Sequence, residues 1–237
     1  MEEVFVLKIR IKFAKRNSMK FISHLDVMRY FQKVIKRADI DIAYSEGFNP
    51  HQIMSFASPL GLGHTSEAEY VDIEIHNTIP SKDAIKLLNS VSVPDMEILS
   101  YKLLPDGATK AMTLVATADY FVKIRENYLP DFDLNAAVDS FKKQSSVIVT
   151  KETKKGTKEV DLLPLIYDFH SEEDGFFIKL AAGSVENLKP ELVFKTIFEQ
   201  NNCELSDFAL SLCRLEIYGY DEEGKLKSLE SFGDDIV

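Results

Sequence analysis

Two stretches in the first half of the chain concentrate side chains able to do chemistry. The first is Phe21-Ile22-Ser23-His24-Leu25-Asp26-Val27-Met28-Arg29. On a helix Asp26 and Arg29 are i, i+3 neighbours and can pair, and such a pair can hold a guanidinium toward an anionic ligand. His24 falls in the first helical turn, where the positive end of the helix disfavours its protonation. A neutral imidazole there can act as a general base, ligate a metal, or simply bond a loop carbonyl. The second stretch, Tyr44-Ser45-Glu46-Gly47-Phe48-Asn49-Pro50-His51, is dense in hydrogen-bonding side chains. Asn49 before Pro50 favours a turn, and Gly47 permits a backbone shape closed to other residues. A loop of this kind is an ordered ligand site or a brace. The expectation is that Ser23, His24, Asp26 and Arg29 meet Ser45, Asn49 and His51 in one ligand-binding pocket.

Other candidates carry weaker signals. Ser58-Pro59-Leu60-Gly61-Leu62-Gly63-His64-Thr65-Ser66 has paired glycines but neither a dinucleotide nor a Walker pattern. His24, His51 and His64 could converge with Glu67 and Glu69 on a metal, yet no spacing requires it, so no metal ligands and no cofactor are assigned. No nucleophile–base triad is visible, Cys203 and Cys213 read as core packing, and no catalytic residue is assigned. Lys8, Arg10 and Lys12 alternate along one face of a strand, which would suit RNA phosphates. The competing reading pairs them across strands with Asp72 and Glu74.

Elements must position these groups. Phe5, Leu7, Ile9, Ile11 and Phe13 fall on one side of a strand running from Val4 to Phe13. Ser23 caps a helix over 24–38 with Asp26 in the capping-box position. A short strand near Gln52–Phe56, a strand over Tyr70–His76, a helix opening at Pro80-Ser81 and a strand over Met96–Leu103 complete a β-α-β-β-α-β order, the ferredoxin-like one. Pro105-Asp106-Gly107 is a turn and a boundary. The order then recurs, with strands at Leu114–Arg125, Val147–Thr150, Gly175–Leu180 and Leu210–Tyr218, and helices at Leu134–Lys143 and Pro190–Glu199. The fold class expected is α+β, as two tandem ferredoxin-like halves, 1–106 and 107–237. A charged hairpin, Lys151 to Lys158, turns at Gly156.

Composition sets bounds. The chain has 237 residues, 45% hydrophobic and 28% charged, with a net charge of −10. Residues 1–40 carry ten cations against four acids, so an anion-binding surface can sit on an acidic protein. No secretory signal and no apolar run of membrane length is visible, and free thiols fit a reducing compartment, so a cytoplasmic location and no membrane partner are expected.

The Phe21-to-Asp26 and Tyr44-to-His51 stretches occur together with Ser55-Phe56-Ala57, Pro59-Leu60-Gly61-Leu62-Gly63, and Ser66-Glu67-Ala68-Glu69-Tyr70-Val71-Asp72. With Lys154-Lys155-Gly156 and Val160 to Ile166 further on, this combination resembles the radical-SAM-linked family of unknown function over nearly the whole chain. Gln52 stands where a Pro is usual, and Leu162-Leu163 lack an expected Arg. The resemblance implies an accessory or substrate-handling partner of a cobalamin-type radical-SAM enzyme, acting on RNA or a ribosome-related target. The chain lacks a C-x-x-x-C-x-x-C motif and so cannot supply radical chemistry itself. Two other classes compete: an RNA-processing enzyme like the CRISPR endoribonucleases, and a pure protein–protein scaffold. The acidic Tyr218-to-Gly224 segment disfavours the first of these.

Overall fold

A computed structural model of the chain describes residues 6–153 and 156–237. The elements run β1 (Leu7–Lys15), α1 (His24–Arg37), β2 (Met54–Phe56), β3 (Thr65–Ile75), α2 (Ser81–Val91), β4 (Ile98–Leu103), α3 (Ala111–Leu114), β5 (Val115–Ile124), α4 (Leu134–Lys142), β6 (Ile148–Thr153), β7 (Gly156–Asp161), β8 (Ile166–Glu172), β9 (Gly175–Ala181), α5 (Pro190–Gln200), β10 (Leu210–Tyr220) and β11 (Leu226–Ser228). The chain is α+β. Val4 and Phe5 of the expected first strand, and Lys154 and Lys155 of the charged hairpin, lie outside the described residues.

Contacts divide the chain into two compact units, Met1–Val115 with Glu216–Val237, and Ala116–Leu215. The division expected at Pro105-Asp106-Gly107 differs from this one, because the C-terminal segment returns to the first unit. Leu103 and Asp234 exchange both backbone bonds at 2.9 Å, and the Ser81 amide donates to the Ile236 carbonyl.

In the first unit the strand order is β4-β1-β3-β10, with β2 on β3 and β11 on β10. Period-2 alternation drives Ile9, Ile11 and Phe13 into a core with Val27, Phe31, Val34 and Ile35 of α1 and Ala84 and Leu88 of α2. Each large apolar side chain buried so contributes roughly 1.5–3 kcal/mol. α1 starts where Ser23 does. The Asp26 amide donates to Ser23 Oγ, and the Asp26 carboxylate accepts from the Ser23 amide, a complete capping box.

The second unit has the order β10-β5-β9-β8. Its core gathers Val122, Phe141, Phe169, Phe176, Ile178, Phe194 and Ile197. One expected strand is corrected here. The segment expected at Val147–Thr150 does not join this sheet; β6 pairs with β7 as a separate hairpin, and β8 takes the edge beside β9. In β8 only Phe169 is buried, so an edge strand with polar faces leaves almost no period-2 signal.

Candidate functional site

The first unit contains a nearly closed cavity of about 10 Å³, lined among others by Phe13, Lys15, His24, Phe56, Ser58 and Glu69. That is room for about one water. β1 delivers Lys15 past a register shift after Phe13, and β3 sets Glu69 directly opposite Phe13. The capping box fixes the first turn of α1 and so the position of His24. Phe56 of β2 meets the His24 ring edge-on, centroids 5.3 Å apart, and packs on Phe31 in turn.

Two charged side chains sit in this apolar setting. Lys15 is 2% exposed and Glu69 7%, and the Lys15 ammonium donates to the Ile22 carbonyl at 3.3 Å. Burying charges is costly and is compensated by specific partners or tied to a task. Desolvation is the main cause that pulls the His24 pKa below its ordinary value; Glu69 opposes the shift and Lys15 reinforces it. His24 is therefore neutral near pH 7. A neutral imidazole that lines a cavity of one-water size with Lys15 and Glu69 can hold or relay a proton there.

The structure brings together some of the residues singled out in the sequence. Ser23, His24, Asp26 and Arg29 share the first turns of α1. Ser23 Oγ donates to Asp26 Oδ2 at 2.6 Å, and Arg29 Nη1 reaches Asp26 Oδ1 at 3.4 Å with both side chains largely exposed. Ser45 and His51 form a second group: Ser45 Oγ lies 2.7 Å from His51 Nδ1 and accepts from the His51 amide, while the Ser45 amide donates to the His51 carbonyl. Gly47 adopts the left-handed φ of 108° between them. Asn49 is exposed. The foot of this loop, Gln52, reaches the Gln32 carbonyl of α1, about two turns along the helix from His24. The bonds of Ser45 and His51 thus close within their own loop, and it is Ser58 rather than this loop that completes the His24 cavity.

The convergence of histidines on a metal is not met. Among the described residues no group of three or more His, Cys, Asp or Glu is placed to hold a metal ion. His51 turns to Ser45, and Glu67 is taken by Arg16, which also bridges to Glu97.

The expectation that Lys8, Arg10 and Lys12 share an open cationic face fails at Arg10, which is fully buried. Its guanidinium is gripped by both oxygens of Asp72 and donates to the Leu229 and Thr109 carbonyls. Lys12 lies between Glu216 and Glu230 at 2.7 and 2.9 Å, beside Tyr70, whose hydroxyl donates to Glu216 at 2.6 Å. The chain's own 109–111 and 229–230 segments cover this part of the face. The register Arg10↔Asp72 and Lys8↔Glu74 is the cross-strand one.

Lys15 is the site residue that motif reading passed over, and Glu69 entered it only as a conceivable metal ligand. Glu69 shares the parity of the buried Val71, Ile73 and Ile75, whereas Lys15 lies beyond the register shift of β1 and carries no such signal.

Residues 8–190 match the profile of a family described as "Uncharacterized protein conserved in bacteria" (DUF2344). The chain belongs to this family. In this DUF2344 member the matched span contains every cavity residue named above. None of the curated proteins matches the chain. Among the described residues no helix is long and apolar enough to cross a membrane.

Proposed function

We propose that this chain is an accessory, substrate-handling partner of a cobalamin-type radical-SAM enzyme, working in the cytoplasm on RNA or a ribosome-related target. The observation that carries this reading is an apolar rim beside the His24 cavity. Phe21, Leu25 and Leu62 are 70%, 60% and 62% exposed. They stand around the start of α1, where the Gly63 amide donates to the Lys20 carbonyl and ties the two segments together. Large exposed apolar side chains grouped on one surface mark a protein contact, and aromatic and Leu anchors suit a docking patch. The sequence resemblance supplies the identity of the partner. The strand orders β4-β1-β3 with β2 outermost, and β10-β5-β9-β8, support reading both units as ferredoxin-like.

Co-expression with a cobalamin-type radical-SAM protein from the same organism tests the reading. The tagged chain should retain that protein together with a nucleic acid, and Phe21→Asp with Leu25→Asp should release both while the fold persists. Failure of the unaltered chain to retain the radical-SAM protein would sink the proposal. A second reading, an RNA-processing enzyme with His24 as base, draws on the neutral imidazole beside Glu69. It requires that the isolated chain cleave RNA and that His24→Gln abolish the cleavage.

A further inference from the structure

On the sheet face turned away from α1 and α2, a second cavity of about 70 Å³ opens between β1, β3 and the 104–110 segment. We propose that it binds a free α-amino acid with an apolar side chain. This inference does not depend on the radical-SAM reading.

The charges at this cavity are arranged for a zwitterion. Lys8 and Glu74 are directly opposite partners in the β1–β3 register, a placement in which opposite charges ordinarily close on one another. Among the described residues no ion pair joins them, and both line the cavity instead. Lys110 adds a second ammonium to the same lining. Asp72 also lines it, but its carboxylate is occupied by the two bonds from Arg10 and by the Ala111 amide at 2.7 Å. What remains to meet a ligand is two cations and one carboxylate, which complement a carboxylate beside an ammonium.

The wall is preorganised. The bond from Arg10 to the Thr109 carbonyl and that from the Ala111 amide to Asp72 pin the 109–111 backbone down. Ala108 and Lys110 are thereby held over the cavity before any ligand arrives, which removes an ordering cost from binding.

Size selects the ligand further. The cavity of about 70 Å³ exceeds the roughly 10–15 Å³ that a single water needs, so it has room for a small charged head. A more open cleft of about 360 Å³ adjoins it through Lys8 and Leu104 and is walled by Leu7, Leu103 and Pro105. Those apolar walls suit a side chain such as that of leucine or methionine.

Titration calorimetry on the full chain tests the proposal, with L-leucine and L-methionine as ligands and leucinamide and 4-methylpentanoate as controls lacking one charge each. Leucine or methionine should bind, and both controls should bind about tenfold more weakly or not at all, as loss of one charge-assisted hydrogen bond implies. Lys8→Met should weaken amino-acid binding about tenfold. Glu74→Gln should weaken leucine binding while leaving 4-methylpentanoate unchanged or improved. Urea unfolding of each variant separates lost affinity from lost fold, and Lys110→Met supplies a third variant at an exposed position. The proposal is overturned if neither amino acid binds at about 10 mM. It is equally overturned if a control matches leucine, or if folded Lys8→Met and Glu74→Gln proteins keep full affinity.

Discussion

Arg10 and Asp72 face each other across β1 and β3 through two parallel bonds, Nε to Oδ1 at 2.8 Å and Nη2 to Oδ2 at 3.0 Å. Arg10 is wholly buried, so removing either partner strands a charge in a place with little water. Arg10→Met or Asp72→Asn should each cost about 3–5 kcal/mol. The double variant Arg10→Met/Asp72→Leu should cost clearly less than the sum, since no charge is then left alone. Urea unfolding of the three proteins gives the coupling, and strict additivity would refute the pairing as a stabilising unit.

The same guanidinium binds the Leu229 carbonyl, and Leu229 is fully buried. A fragment of residues 1–106 therefore lacks both the 109–111 wall and the C-terminal return. It should unfold without a cooperative transition. A chain joining 1–115 to 216–237 through a flexible linker should unfold cooperatively. Circular dichroism against urea checks this, and a cooperative 1–106 fragment would show that the return is dispensable.

His24 predicts a pH dependence of defined sign. Its folded pKa lies below the ordinary 6.5, so the unfolded chain binds the proton more tightly. The stability it supports is fully present above the unfolded value, and is lost as pH falls from there toward the folded pKa. By the same electrostatics Lys15→Met should raise the His24 pKa and Glu69→Gln should lower it further. Proton NMR titration of the imidazole reads both shifts; shifts of the opposite sign would remove Lys15 and Glu69 from the site.

In the second unit Gly175 opens β9 against β5. A Cβ added there would lie 2.5 Å from the Val122 carbonyl oxygen and 2.8 Å from the Phe121 ring. Backbone cannot yield as a flexible side chain can, so Gly175→Ala should cost about 1–3 kcal/mol by overpacking. Thermal unfolding measures it, and a neutral substitution would mean that the β8–β9 hairpin shifts freely.

The sequence by itself determined the helices and most strands of both halves. Their signals are local: the Ser23–Asp26 cap and the alternation of Ile9, Ile11 and Phe13 each lie within a few residues. It also put Lys8 and Arg10 on the strand face shared with Asp72 and Glu74, because a buried face fixes parity; the register within that parity came from the fold. Tertiary structure decided what surrounds those residues. Coverage of Arg10 depends on carbonyls ninety-nine and 219 positions away, and no local pattern encodes a contact of that range. The separation of Ser45 and His51 from His24 depends on where the loop meets α1. Its own hydrogen-bonding groups are equally able to bind a ligand or each other, and the fold brings Ser45 and His51 to each other. Glu69 stood in phase with the core of β3, but only the fold placed it and Lys15 beside His24, where their charges act on its proton.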